Sequence, residues 1–326
     1  MFVAGIAIGS FFNSFSPVVR YHRVNNDTPR QLVDDTNVHH YPLVRLGNDR
    51  TVFKKDSGWQ TVHVFYGSSD HVESLLPSNE ADINTKTTSP FYFSQARQDE
   101  VILKLLRNKT NGFFVDLAAN DATVLSNTYA LERHYGWKGL CIEPNSKYWY
   151  NLTHYRTNCQ IVGAVVGERR MEQVHFKYAD NEHGGIAGNG FDNGPKHQKW
   201  SQRAYTVTLE EVLEMTNPPP VMDYLSLDVE GAEYFVLKDF PFDKYVFRCM
   251  TIERPKDALK LLLEQHGYKN ILRLSKFGET LWIHSKYEAE MDLVDLEQYH
   301  AKQQWKEGKA REAEKKAVAD KARKVA

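Results

Sequence analysis

The stretch from Phe113 to Asp121 reads Phe-Phe-Val-Asp-Leu-Ala-Ala-Asn-Asp. A hydrophobic run that ends in an acid and then turns through two alanines into Asn-Asp has the pattern of a buried parallel strand, one that delivers its C-terminal end to a ligand. Two later apolar runs end the same way, at Glu143 (Gly139-Leu-Cys-Ile-Glu-Pro) and at Asp228 (Tyr224-Leu-Ser-Leu-Asp-Val-Glu-Gly). Three strands that each finish in a carboxylate describe one crevice, lined by Asp116, Glu143 and Asp228.

The surrounding pattern alternates helix and strand. Ser94 opens a helix with Val101, Ile102, Leu105 and Leu106 at helical spacing, and Asn111-Gly112 stops it. A helix from about Ser126 to Tyr135 follows the first strand. The second strand, Leu140 to Glu143, leads into a helix from Asn145 to about Arg156. Ile161 to Val166 and Val174 to Tyr178 read as further strands. The segment His183 to Gly194 holds five glycines and reads as either a substrate-facing lid or a surface loop. Tyr205 to Val207 is extended, and Thr208-Leu-Glu-Glu211 is a capping box. After the strand ending in Asp228 come a helix from Gly231 to Lys238, a strand from Phe247 to Glu253 and a helix after Pro255. The strands Ile271 to Leu274 and Thr280 to His284 then form a hairpin. This order predicts an α/β fold, Rossmann-like, with a mostly parallel twisted sheet and an antiparallel edge hairpin, spanning residues 91–286. Residues 1–90 read as a small β-containing N-terminal extension with one clear strand, Gln60 to Tyr66. Residues 287–326 read as a charged helical tail.

Composition limits the classes of partner. A net charge of -1 over 326 residues gives no electrostatic case for nucleic acid. From Lys302 to Lys324 there are nine Lys/Arg against four Asp/Glu, read as a solvated helix before a docking surface. Cys141, Cys159 and Cys249 have no metal-knuckle spacing and read as buried, reduced thiols. The apolar run in residues 1–19 lacks a basic flank and is broken by Asn13, Ser14, Ser16 and Pro17. A cytoplasmic protein is favoured, with a secretory signal or membrane anchor there as the alternative. Asn26, Asn108 and Asn151 head glycosylation sequons, a triplet too loose to decide the compartment. His39-His40 reads as loop residues, since adjacent histidines diverge and no further ligand is spaced to help them.

An acid ending the second strand of such a sheet is placed to accept both ribose hydroxyls of a nucleoside, and Glu143 is that acid. A nicotinamide fingerprint would need Gly-x-Gly-x-x-Gly in the first turn. Here Ala118-Ala119-Asn120-Asp121-Ala122 puts side chains where a pyrophosphate needs bare backbone. The turn therefore suits a nucleoside without phosphates, of which S-adenosylmethionine is the common one.

Several ordered motifs carry a family resemblance. Ser94-Gln with Gln98-Asp99, the strand through Asp121, Leu125-Ser-Asn-Thr-Tyr129, Gly136-Trp-Lys-Gly-Leu-Cys-Ile-Glu-Pro-Asn145 and Asp223-Tyr-Leu-Ser-Leu-Asp-Val-Glu-Gly-Ala-Glu233 together resemble the FkbM family of S-adenosylmethionine-dependent methyltransferases. The resemblance covers about Phe91 to His284. It implies a class I methyltransferase fold and methyl transfer to a hydroxyl, often on a sugar or other small metabolite. It also implies that Asp116, Ala118, Asn120 and Asp121 surround the methionine part and that Glu143 holds the ribose, with Pro144, Asn145 and Asp228 also facing the cofactor. The same resemblance places Asp228 and Glu230 at the transfer site. The family usually has glycines where Ala118 and Ala122 stand. That departure motivates a second reading, a non-catalytic binding or scaffold protein that retains the fold. An alcohol acceptor must lose its proton, so a base is required, and Asp228, Glu230, Glu253 and His183 are the candidates. Asp228, Glu230 and Glu253 could also converge on a divalent cation.

Overall fold

The computed structural model describes residues 51–52, 63–66, 92–178 and 183–301. The first nineteen residues, His39-His40, the connection from Leu76 to Pro90 and the tail from Lys302 lie outside them. In chain order the elements are β1 (Thr51–Val52), β2 (His63–Tyr66), α1 (Gln98–Leu105), β3 (Phe113–Leu117), α2 (Tyr129–Tyr135), β4 (Lys138–Ile142), α3 (Trp149–Tyr155) and β5 (Cys159–Gly163). An excursion follows: β6 (Val165–Val166), β7 (Gln173–Lys177), β8 (Gly185–Ile186), a 3-10 turn at Pro195–Trp200 and β9 (Gln202–Val207). The chain then returns through α4 (Leu209–Thr216), β10 (Val221–Leu227), α5 (Glu233–Leu237), β11 (Val246–Ile252), α6 (Asp257–Gln265), β12 (Tyr268–Arg273) and β13 (Thr280–His284). Residues 293–301 are helical. Among the described residues no helix is long and apolar enough to cross a membrane.

The large sheet has the order β1-β2-β5-β4-β3-β10-β11-β13-β12. From β5 to β11 every pairing is parallel, whereas β13 is antiparallel to both β11 and β12. The chain starts in the middle at β3, builds outward through β4 and β5, and then crosses to β10 on the other side. The strand order thus reverses between β3 and β10, which is where an open α/β sheet leaves a crevice outside its carboxyl ends. On the far edge β12 skips one position and β13 fills it. The N-terminal strand β2 pairs antiparallel with β5, extending the opposite edge.

Side chains alternate along each strand, and this sorts the core into two layers. Val115, Leu117, Leu225, Leu227, Met250 and Ile252 pack on one face, and Phe114, Cys141, Tyr224 and Cys249 on the other. Both layers are buried because helices cover both faces, as a parallel sheet requires.

Three expectations are corrected here. The helix expected from Ser126 begins at Tyr129, because the Ser126 hydroxyl accepts the amide of Tyr129 at 3.1 Å and the preceding residues form a turn. The helix expected from Asn145 begins at Trp149, since the Asn145 side chain accepts the Lys147 amide at 3.2 Å and holds a turn of its own. Cys141 and Cys159 are not reduced thiols but are paired as a disulfide, leaving Cys249 free and buried. Their separation of 18 residues in sequence hid the fact that β4 and β5 are adjacent parallel strands. The capping box at Thr208 is present, with the Thr208 hydroxyl accepting the Glu211 amide at 3.1 Å and Glu211 accepting the Thr208 amide at 3.0 Å.

Candidate active site

A cleft of about 530 Å³ opens at the carboxyl ends of β3, β4 and β10. It is lined by all eight residues expected to face a cofactor: Asp116, Ala118, Asn120, Asp121, Glu143, Pro144, Asn145 and Asp228. The acids reach the same place because each strand ladder continues one step past its strand. Glu143 N donates to Val162 O at 2.9 Å and Glu253 N to Leu227 O at 3.1 Å, so these acids stay in register beyond the last paired residue.

Glu143 is almost fully buried, and its two carboxylate oxygens hold two separate turns. Oε2 accepts the amide of Asn120 at 2.8 Å and Oε1 the amide of Asn145 at 2.7 Å. Burial pushes its pKa up to about 7, against the pull of these two amides. A carboxylate oxygen has two acceptor sites, so each oxygen keeps one for a ligand hydroxyl.

Asp116 is held from behind. Its Oδ2 accepts the Thr128 hydroxyl at 2.6 Å, and that hydroxyl in turn accepts Nη2 of Arg156 at 2.7 Å. Arg156 is itself fully buried and paired with Glu132 at 2.6 Å. Burial raises the Asp116 pKa and the Arg156 charge opposes that rise.

The first turn is conformationally demanding. Ala118 has φ 71° and Asn120 φ 53°, the left-handed region where a Cβ costs about 1 kcal/mol. Glycine would remove that cost at position 118, so a family preference for glycine there has a backbone reason. Ala118 lines the cleft. Ala122 is buried in the core beside Ala119 and Leu131, and its methyl packs against protein. Asp121 caps its own turn, with Oδ1 accepting the amides of Thr123 at 3.0 Å and Val124 at 2.9 Å.

The four candidate bases separate into two groups. Asp228 lines the cleft, while Glu230, Glu253 and His183 stand next to it, outside the cleft lining. Register explains the closest pair: Leu227 lies opposite Ile252, which sets Asp228 beside Glu253. The two carboxyls share a hydrogen bond. Burial, then the charge of Asp228, raises the Glu253 pKa to about 9, and burial also raises that of Asp228. The two groups titrate together, the charge of Asp228 disfavouring ionisation of Glu253. His183 Nδ1 lies 3.4 Å from Glu230 Oε1.

The carboxylates expected to converge on a cation do so with one exchange. Asp192, from the glycine-rich segment, joins Glu230 and Glu253, with one oxygen from each lying within 4.8 Å of the others, and Asp228 is not in the set. The glycine-rich segment is docked on the turn after β10: Asp192 N donates to Glu230 O at 3.0 Å, and Lys256 Nζ bonds both Gly231 O, at 3.0 Å, and Gly190 O. Gly231 has φ +89°, and a Cβ there would meet Asp192 Oδ1 at 2.5 Å, so this close approach requires glycine. Of that segment only Gly184 lines the cleft.

Several lining residues carry no assignment from sequence. Gln95 comes from the turn before α1 and Gln98 is the first residue of that helix, Asn127 donates to Ser226 Oγ at 2.9 Å, and Lys147, Tyr148 and Lys177 also line the cleft. Gln95 and Gln98 belong to the motif quoted from Ser94 to Asp99, which was the one available signal. Arg254 and Asp192 had none, because their meeting depends on the excursion folding back.

Buried acids lie around and beneath this cleft. Burial raises the pKa of Glu233 to about 7 and of Glu279 to about 8, as it does for Glu143. A carboxyl whose folded pKa is raised binds its proton more tightly in the folded state, so stability falls as pH rises from the unfolded pKa toward the folded one. The ligand-free protein is therefore expected to lose thermal stability between about pH 5 and pH 8, at up to about 1.4 kcal/mol per pH unit for each such acid. Glu279→Gln should flatten that slope in melts recorded across the range. An unchanged slope would contradict the account.

An open sheet that reverses order beside its first strand, with acids at the ends of three neighbouring strands and no phosphate loop, defines a class I methyltransferase fold. Residues 116–270 match the family model described as Methyltransferase FkbM domain. No curated protein matches the chain. Among solved structures, precorrin-6y C5,15-methyltransferase from Geobacter metallireducens GS-15 is similar at 12% identity and a TM-score of 0.33, over 60% of this chain and 90% of that one, too loose a likeness to argue from.

Proposed function

We propose that the cleft transfers a methyl group from S-adenosylmethionine to a hydroxyl of a small molecule, a sugar or a comparable hydroxylated metabolite. The observation that carries this reading is Asp228 lining the cleft, set beside Glu253 by the strand register. An alcohol acceptor needs a base within hydrogen-bond reach, and Asp228 is the candidate base that lines the cleft.

The residues around the cleft fit the cofactor. Glu143 keeps an acceptor site on each oxygen for the ribose hydroxyls, and the first turn has side chains where a pyrophosphate would demand none. When bound, S-adenosylmethionine supplies an electrophilic methyl on a sulfonium. Asp116, Ala118, Asn120 and Asp121 would wall its methionine part, with Pro144 and Asn145 flanking the nucleoside. Asp228 would accept the acceptor's hydroxyl proton. Glu230 and His183 stand beside the cleft wall next to Asp228, and the protein has chiefly to align the acceptor.

The test is methylation of a panel of sugars and hydroxylated metabolites with isotope-labelled donor, together with calorimetry of donor binding. No detectable donor binding by well-folded protein would sink the enzyme reading in favour of a scaffold role. Turnover is expected to rise with pH as Asp228 ionises above the ordinary carboxylate range. It should change again near pH 9, where Glu253 gives up its proton. Glu253→Gln keeps a neutral donor beside Asp228, so it should preserve the lower limb and abolish the upper change. An upper limb that survives in this variant would place it on another group.

A further inference from the structure

Asp192, Glu230 and Glu253 come from three separate segments and present one oxygen each in a group of the size that surrounds a cation. That group is occupied from within. Nη2 of Arg254 lies 2.7 Å from Asp192 Oδ2, 3.0 Å from Glu230 Oε2 and 2.6 Å from Glu253 Oε2. A hard divalent ion would need oxygens of these same three side chains at roughly 2.0 to 2.6 Å. Nη2 and a metal ion cannot both sit among them.

We propose that Arg254 is the resident cation of this wall of the site: its guanidinium takes the place a divalent metal ion would occupy, gathers the three carboxylates, and makes the cleft independent of metal.

Three features hold Arg254 in this role. Its backbone is pinned in the left-handed region at φ 45°, with its amide donating to Gly278 O at 3.2 Å. Its stem lies against Gly278, where a Cβ would come within 2.8 Å of Arg254 Cγ. Lys256 bonds the carbonyls of Gly190 and Gly231 and so keeps the segment bearing Asp192 in place. The contact to Glu253 is a close approach to the guanidinium. Oε2 of Glu253 is buried and close to Nη2, yet no donor is aligned on it as a hydrogen bond. Beside that atom the guanidinium supplies a charge that does not titrate in the physiological range. Arg254 is not among the residues that line the cleft, so it is a positioning residue.

The inference concerns the cation and stands whether or not methyl transfer is the reaction. The protein, freed of metal with a chelator, is titrated with Mn²⁺ and followed by electron paramagnetic resonance and calorimetry. The wild type is expected to show no site tighter than about 1 mM, the weak end for oxygen-ligand sites. Arg254→Met removes the charge and should gain one Mn²⁺ site at least about tenfold tighter. That site should disappear when Glu253→Gln is added, and Arg254→Lys, which restores a cation, should show none. Submillimolar Mn²⁺ binding by the wild type that is lost in Glu253→Gln would overturn the proposal, as would a folded Arg254→Met that gains no site. Should Arg254→Met fail to fold, Arg254→Gln keeps a polar head and carries the same two outcomes.

Discussion

Glu143→Ala is expected to weaken S-adenosylmethionine binding by about 100-fold in calorimetry, the loss anticipated for two hydrogen bonds to a charged acceptor at about 1.5 kcal/mol each. The variant also leaves the Asn120 and Asn145 amides without their present acceptor, so part of the loss comes from the turns rather than from the ligand. Glu143→Gln separates the two contributions, since its amide oxygen can still accept from one turn. Ligand hydroxyls favour the ionised carboxylate. Wild-type affinity should therefore rise with pH through about 7, where Glu143 gives up its proton, and the rise should vanish in both variants. An affinity unchanged by Glu143→Ala would remove the ribose assignment.

Asp228→Asn should instead act on turnover. Loss of the base is expected to lower kcat by about 10²- to 10⁴-fold, the range typical of general-base removal, with donor affinity changed less than about threefold. The asparagine keeps the shape and loses the proton acceptor, so the fold of the turn is retained. Equal losses of turnover and donor affinity would refute the role assigned to Asp228 and make it a cofactor ligand only.

Much of this architecture was legible because the sheet is parallel and doubly covered. Strands buried on both faces read as short apolar runs, and the residue that ends each run is forced to the open edge of the sheet. Asp116, Glu143 and Asp228 could be found in that way from sequence alone. Helix starts were less legible: Ser126 and Asn145 are good capping residues, but each spends its side chain on a turn first. Contacts between segments brought together by the fold were not legible. The pairing of Cys141 with Cys159 depends on which strands are neighbours. The meeting of Asp192 with Arg254 depends on an excursion of about forty residues folding back onto the turn after β10, for which no local pattern exists. The alanines in the first turn gave half of their meaning in sequence. Their difference from glycine was visible, but only the structure separates Ala118, at positive φ on the cleft wall, from Ala122, buried in the core.

The single carboxylate that grips both turns has a consequence for observation as well as for binding. The amide hydrogens of Asn120 and Asn145 are 25 residues apart in sequence yet share one acceptor group, so they should exchange with solvent as a pair and slow together when the cleft fills. Two backbone resonances would then report occupancy and the protonation of Glu143 at once, without a label on the ligand.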